Sequence, residues 1–178
     1  MLNKERQEEV VELCQHLIQK QSYSGHEDKV ASVLEEHLKK KGFDSVTVDK
    51  YGNVIGCIKG NRPGKKILFD GHIDTVPVSD EKEWQYPPFA AEIHDGKIYG
   101  RGTSDMKGAV AGFVTAAAAF AEDTKKDFAG EIYVAGVVHE ECFEGVAARE
   151  ISNFVKPDYV VIGEASQLNI KIGQRGRG

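Results

Sequence analysis

The sequence KKILFDGHIDTVP, residues 65–77, carries the strongest indication of the fold. Its apolar first half predicts a buried strand that ends at Gly71. His72 and Asp74 then stand at the carboxyl end of that strand, which is where ligands collect in open α/β sheets. The segment therefore predicts an α/β domain with a functional site at one edge of its sheet.

Periodic apolar residues on both sides of this segment predict the remaining elements. The predicted helices span residues 3–19, 26–41, 109–121 and 146–154. The predicted strands span residues 45–49, 53–59, 131–138 and 158–162, with a hairpin at 91–99 and a further strand beginning at 169. Ser24 and Glu27 have the spacing of a capping box for the second helix, and residues 61–64 have the composition of a turn. The alternation of strands and helices predicts a mixed, mostly parallel sheet flanked by helices.

Length, charge and cysteine content argue against several classes of protein. The chain of 178 residues, 40% of them hydrophobic, is long enough for one core. A net charge of −5 without a basic stripe argues against nucleic acid and anionic membranes as partners. No apolar stretch approaches the roughly 20 residues of a membrane span and no signal-peptide core follows Met1, so we expect a cytoplasmic protein. Cys14, Cys57 and Cys142 form neither a disulfide framework nor a CxxC zinc site.

Four short segments supply candidate metal ligands. They are GHIDTVP at 71–77, GRGTSDMKG at 100–108, HEE at 139–141 and GEAS at 163–166. The candidate ligands within them are His72, Asp105, Glu141 and Glu164. One imidazole and three carboxylates suit Zn²⁺, Mn²⁺ or Co²⁺ better than Mg²⁺, which prefers oxygen ligands and keeps its waters. The set therefore predicts a site for one of the first three cations.

Two further acidic residues have positions that suit supporting roles. Asp74 lies two residues after His72, on the same side of an extended segment, so its carboxylate can accept the second imidazole N–H. Glu140 adjoins Glu141, and one of the two can bind a metal while the other takes a proton from water. His139, directly before them, is expected to point away from the metal.

Each motif taken alone also has an ordinary structural explanation. A histidine two residues before an aspartate is often a strand-end residue with one hydrogen bond, and a pair of glutamates is often a solvated turn. The glycines of GRGTSDMKG also allow a phosphate-binding loop ahead of a helix. The spacing matches neither the dinucleotide nor the P-loop motif, and Asp105 would repel phosphate. The residues by themselves leave these alternatives open.

The succession of the four motifs resembles the co-catalytic zinc metallopeptidases, the family that includes glutamate carboxypeptidase, acetylornithine deacetylase, succinyl-diaminopimelate desuccinylase and aminoacylase. The resemblance covers nearly the whole chain and includes SYSGHE at 22–27, WQYPPF at 84–89 and the RG pair near Gly178. It implies a zinc-peptidase-like catalytic domain that hydrolyses amide bonds in small peptides or N-acyl amino acids. Glu140 matches the general base of that family and Asp74 the carboxylate behind the histidine.

The resemblance also implies how two metals would be held. His72 and Glu164 match the ligands of one metal, Asp105 matches a bridge between both, and Glu141 matches a ligand of the second. Zinc is the favoured metal, with cobalt or manganese as alternatives. The peptide bond after Asp105 is often cis in this family.

The same family continues beyond the length of this chain. Its pattern runs on into a lid or dimerisation domain and then supplies a last histidine to the second metal. We therefore expect residues 1–178 to be the N-terminal part of the catalytic domain, incomplete at its C-terminal end and able to bind about one metal. The parent enzyme would act on a small substrate and could form a homodimer. The alternative is a non-catalytic metal-binding or interaction module.

Overall fold

The computed structural model describes residues 3–143, 145–167 and 169. Its α-helices are α1 (Lys4–Ile18), α2 (Asp28–Lys40), α3 (Gly108–Thr124), α4 (Glu140–Phe143) and α5 (Val146–Val155). Its strands are β1 (Ser45–Val48), β2 (Val54–Lys59), β3 (Arg62–His72), β4 (Glu92–His94), β5 (Lys97–Tyr99), β6 (Ala129–Val137) and β7 (Tyr159–Ile162). Within this part of the chain, no helix has both the length and the apolar character that crossing a bilayer requires. The strand predicted from residue 169 onward lies outside the described residues, apart from Asn169 itself.

Five strands form the central sheet in the order β1–β2–β6–β3–β7. β3 pairs in parallel with β6 on one side and with β7 on the other, whereas β2 is antiparallel to both β1 and β6. Only β2 therefore runs against the other four strands, which confirms the predicted mixed, mostly parallel sheet. The predicted hairpin is present as β4 and β5, which pair only with each other among the described strands.

Helices cover both faces of the central sheet, as predicted. Gly71 of β3 and its partner Gly136 of β6 face the same side, because paired residues share a face. Gly71 approaches α3 and Gly136 approaches α2, so these two helices share that face. Lys66 belongs to the opposite face and donates a hydrogen bond to the carbonyl of Val155 in α5. Two layers of helices therefore enclose the strands that carry the site.

Three local predictions differ from the structure. Residues 62–64, predicted as part of a turn, begin β3, and the register shifts between Arg62 and Lys66. The predicted capping box is wrong, because α2 begins after Glu27 and no side chain caps it. Helix α4 was not predicted, since four residues are too few to show a helical period. The absence of this capping box matters for the site, because Ser24 and Glu27 instead form hydrogen bonds with Asp74 and His139.

Gly130 fixes how β6 enters the sheet. Its φ of +96° lies in the region that side chains rarely adopt, and a Cβ there would collide with the backbone of Lys65. Only glycine therefore allows β6 to lie this close to the start of β3. Gly112 is a useful contrast, because it lies in α3 and a Cβ there would meet nothing within 4 Å.

We expect Gly130→Ala to destabilise the protein and Gly112→Ala to stabilise it. A side chain held at a strained φ costs about 1–3 kcal/mol, to which the collision adds. Alanine in a helix interior gains about 0.5–1 kcal/mol over glycine. Chemical denaturation of both variants tests this pair, and equal stabilities would contradict the close approach at Gly130.

Candidate metal centre

The carboxyl ends of three parallel strands bring the predicted ligands together. His72 is the last residue of β3, and Glu140 and Glu141 follow β6 after a two-residue connection. Glu164 lies two residues after the end of β7. Asp105 comes from the loop between β5 and α3. Because β3 is the middle strand of the three, its terminal histidine lies at the centre of the group.

The imidazole of His72 is the hub of this cluster. Its Nε2 lies 2.8 Å from Oδ1 of Asp105, 3.7 Å from Oε1 of Glu164 and 3.9 Å from Oε2 of Glu140. Two ligand groups within 4.8 Å can be formed around it among the described residues, one with Asp105 and Glu141 and one with Glu140 and Glu164. The predicted ligands therefore meet at one place. Glu140, predicted as the base, lies among them.

His72 is oriented by a backbone carbonyl. Its Nδ1 lies 3.0 Å from the carbonyl oxygen of Asp74, whereas the Asp74 carboxylate is 3.5 Å from it. This differs from the expected carboxylate hydrogen bond, because that carboxylate is turned toward other donors. Burial would lower the pKa of His72, but the contacts with Asp74 and Asp105 outweigh it and raise the pKa to about 10. Nδ1–H points at a carbonyl, so Nε2 faces the carboxylates and is free to exchange its proton for a cation.

Asp74 holds the turn that carries the two glutamates. Its carboxylate accepts the backbone N–H groups of Glu140 and Glu141, each at 3.1 Å, and the hydroxyl of Ser24 at 2.6 Å. The side chain is completely buried. Burial would raise the pKa of Asp74, but these hydrogen bonds and His72 outweigh it, so the pKa is lowered. Asp74 therefore remains charged and anchors the start of α4.

Sequence reasoning missed Ser24 and Glu27 as site residues. Their spacing predicted a helix cap, but Ser24 bonds Asp74, and Glu27 accepts the backbone N–H of His139 at 3.0 Å. Glu27 is almost fully buried. The signal that could have found them is the SYSGHE segment, which was already part of the resemblance. A helix cap alone would not explain why its glutamate is buried.

A buried lysine fixes the loop that carries Asp105 to the end of α1. Lys107 is fully buried, and its Nζ donates to the carbonyls of Leu17 and Lys20 at the end of α1, at 2.9 and 3.0 Å. Burial lowers the pKa of Lys107 to about 8. The peptide bond from Asp105 to Met106 is cis, as the resemblance implied. Asp105 lies 2.8 Å from Nε2 of His72, and because its side chain is 58% exposed it is still open to a ligand.

The cluster carries more negative charge than its one imidazole can balance. Burial raises the pKa values of Glu140, Glu141 and Glu164, and neighbouring carboxylates raise them further. Burial also raises the pKa of Asp70, in β3, to about 6. A divalent cation would offset the repulsion between these crowded carboxylates and would favour their ionised forms. The donor set, one imidazole and several carboxylates, therefore fits a divalent metal.

The other histidines and the cysteines lie outside this cluster. His139 packs against Phe143, and its Nδ1 is 3.5 Å from Glu27. His94 stacks on Tyr86. Cys14 and Cys57 are buried and Cys142 is exposed, and all three are free thiols. The metal-ligand groups found among the described residues include none of these side chains. The phosphate-loop alternative is disfavoured, because Asp105 directs its charge toward His72.

Comparison with known proteins agrees with this geometry. The model of peptidase family M20/M25/M40 matches residues 68–175. The chain belongs to this family. The matched residues include every predicted ligand of the M20 chain. The four ligand-bearing motifs, at 71–77, 100–108, 139–141 and 163–166, all lie within the matched residues.

One curated relative shows the range of the match. Succinyl-diaminopimelate desuccinylase 2 of Ruegeria sp. (strain TM1040) is 35% identical over 178 residues, which covers 93% of the M20 chain and 45% of that protein. The chain thus spans less than half the length of this relative. The relative is a desuccinylase by name, and the family's members are hydrolases of amide bonds.

Two solved structures share the fold. The M20 family metallo-carboxypeptidase Sso-CP2 from Sulfolobus solfataricus superposes with a TM-score of 0.73 at 23% identity, covering 91% of this chain and 37% of its own. YXEP of Bacillus subtilis, a dinuclear metal-binding M20 peptidase, superposes with a TM-score of 0.63 at 18% identity, covering 85% and 40%. At these identities the likeness establishes the fold.

We expect a divalent cation to raise the melting temperature, and to do so more at about pH 8 than at about pH 5, because raised pKa values leave more protons to displace at low pH. Metal-free protein should instead lose stability as the pH rises from about 5 to about 8. The stability that the protonated form of Asp70 contributes is present below about pH 4 and is lost as the pH rises through about 6. Asp70→Asn should reduce that loss. Thermal melts with chelator and with added Co²⁺ measure both effects, and a melt unchanged by the metal would count against the site.

Proposed function

We propose that the chain forms the metal-binding part of a hydrolase that cleaves amide bonds in small peptides or N-acyl amino acids. The observation that carries this proposal is the convergence of Asp105, Glu140 and Glu164 on Nε2 of the buried His72. Such a cluster is costly without a cation and useful with one. Membership of a family of metal-dependent peptidases and desuccinylases supports it.

The residues present would suit two cations. His72, Asp105 and Glu164 would hold the first metal, and Asp105 and Glu141 would contribute to the second. Zinc is the proposed metal, with cobalt or manganese as alternatives, because an imidazole with carboxylates suits them. When bound, the metals would supply a Lewis acid for the substrate carbonyl and a lower pKa for water. The carboxylates of Asp105 and Glu164 are about half exposed, which would leave such ions open to substrate.

Glu140 is the proposed general base. It has no neutralising cation other than His72 nearby in the described cluster, and burial raises its pKa. A raised pKa brings a carboxylate closer to the value that favours proton transfer at neutral pH. Glu140 would take the proton from the attacking water and later return it to the leaving amine. Asp74 would keep Glu140 in place through the backbone N–H that it accepts.

The whole protein is proposed to be larger than this chain. Residues 1–178 would be the N-terminal part of the catalytic domain, since the desuccinylase relative is more than twice as long as the part that matches. A lid domain and a last ligand for the second metal would come from the remaining length. We also propose that the enzyme is cytoplasmic and can form a homodimer.

Metal content per chain tests the ligand assignment. We expect about one equivalent of Zn²⁺ or Co²⁺ to remain bound after gel filtration, because this chain would supply three ligands to the first metal and two to the second. Asp105→Ala should lose it. Asp127→Ala is the matched control, because Asp127 precedes β6 at the opposite end of the sheet and pairs with Arg62. Retention of metal by Asp105→Ala would refute the bridging role.

Substitution of the proposed base separates binding from turnover. Glu140→Gln should leave metal content close to that of the unmodified protein while it lowers kcat by at least about 100-fold, since general-base catalysis contributes 10² to 10⁴. Activity is measured on N-succinyl and dipeptide substrates, in the polypeptide extended to the length of its relatives. Glu36→Gln, on the exposed side of α2, is the control. Undiminished turnover by Glu140→Gln would remove Glu140 from the mechanism, whereas inactivity of every form would favour the non-catalytic module.

A further inference from the structure

The segment from Ser22 to Glu27 lies beside the metal cluster as a short strap. The backbone N–H of Thr75 donates to the carbonyl of Ser22 at 2.9 Å, and the Ser22 hydroxyl donates to the carbonyl of Ile73 at 2.7 Å. Tyr23 forms an isolated parallel bridge with Thr75. The strap is therefore fixed to the residues that directly follow His72.

From this strap the side chain of Ser24 reaches Asp74, which holds the turn that carries the glutamates. Ser24 donates its hydroxyl to Oδ2 of Asp74 at 2.6 Å, and the same Oδ2 accepts the N–H of Glu141. Oδ1 of Asp74 accepts the N–H of Glu140. A continuous line of hydrogen bonds thus joins Ser24 to both glutamates of the site.

Glu27 holds the same turn from its other side. Its Oε1 accepts the N–H of His139, whose φ of +59° is unusual for a residue with a side chain. That conformation places His139 away from the cluster and Glu140 and Glu141 toward it. A buried carboxylate that accepts the N–H of a residue in a strained backbone conformation stabilises a turn that the local sequence would not favour by itself.

We propose that Ser24 and Glu27 are positioning residues, which set the orientation of Glu140 and Glu141 through Asp74 and through the backbone of His139. The inference rests on the proposed function, because it concerns how the proposed ligand and base are held. Removal of the Ser24 hydroxyl would leave Oδ2 of Asp74 with one donor fewer in a fully buried place. Asp74 would then shift toward the remaining donors and move the N–H groups of both glutamates with it.

Metal affinity of the 178-residue chain tests the role of Ser24. Ser24→Ala should weaken Co²⁺ binding by about 10-fold or more in a competition titration with a chelator, as loss of groups that orient metal ligands typically does. The visible absorption of bound Co²⁺ should also change, because the position of Glu141 changes. Ser24→Thr, which keeps a hydroxyl, should restore both. Ser32→Ala is the matched control, since the Ser32 hydroxyl donates to the carbonyl of Asp28 within α2 and lies at an exposed position away from Asp74.

Glu27 provides a second, independent pair of variants. Glu27→Ala removes the acceptor of the His139 N–H and should weaken Co²⁺ binding, whereas Glu27→Gln keeps an acceptor oxygen and should weaken it much less. In the extended enzyme, Ser24→Ala and Glu27→Ala should lower kcat with little change in KM, because both side chains are engaged in hydrogen bonds to Asp74 and His139. Circular dichroism establishes that each variant is folded under the conditions of titration.

The outcomes separate this inference from the function on which it rests. No Co²⁺ binding by the unmodified chain would overturn the metal site and the inference together. Binding by the unmodified chain that is unaffected in Ser24→Ala and Glu27→Ala would overturn the positioning role alone. An equal loss in Ser32→Ala would show a general effect of stability and would equally overturn it.

Discussion

The parallel register of β3 between β6 and β7 is the constraint on which the site depends. It pairs His72 with Val137 on one side and Asp70 with Ile162 on the other, so the three strands end at nearly the same height. Each strand then needs only a few residues to deliver a ligand to one point. A slip of one residue would turn the His72 imidazole to the other face of the sheet and separate it from the carboxylates.

The electrostatic design follows from that convergence. The groups that must not move, His72 and Asp74, are buried and hydrogen-bonded, and the groups that would meet a cation are partly exposed. Water can therefore screen the carboxylates until a metal arrives, while the hydrogen bonds of Asp74 hold the frame in advance. Burial of all of them would have forced protonation, and exposure of all of them would have left the ligands disordered.

The fold and the convergence of the candidate ligands could be predicted from the sequence because both depend on local signals. Apolar runs ending in His72 or Glu164 identify strand ends, and strand ends of a parallel sheet meet. The attachments of Ser24 and Lys107 could not be predicted, because each joins segments that are distant in the sequence. The spacing of Ser24 and Glu27 even suggested a wrong local partner, since a helix cap and a long-range hydrogen bond use the same side chains. The division of ligands between two metals remains a prediction.

The buried ammonium of Lys107 has a consequence for the order in which the molecule can be made. It joins α1 to the loop of Asp105 across 90 residues of sequence, so the end of α1 cannot make this contact until that stretch has been synthesised. The four predicted ligands of this chain have all been synthesised only when Glu164 has left the ribosome. A metal ion that needs all four of them would therefore meet a chain in which β3, β6 and β7 have already been synthesised, unlike the short segment of a zinc finger.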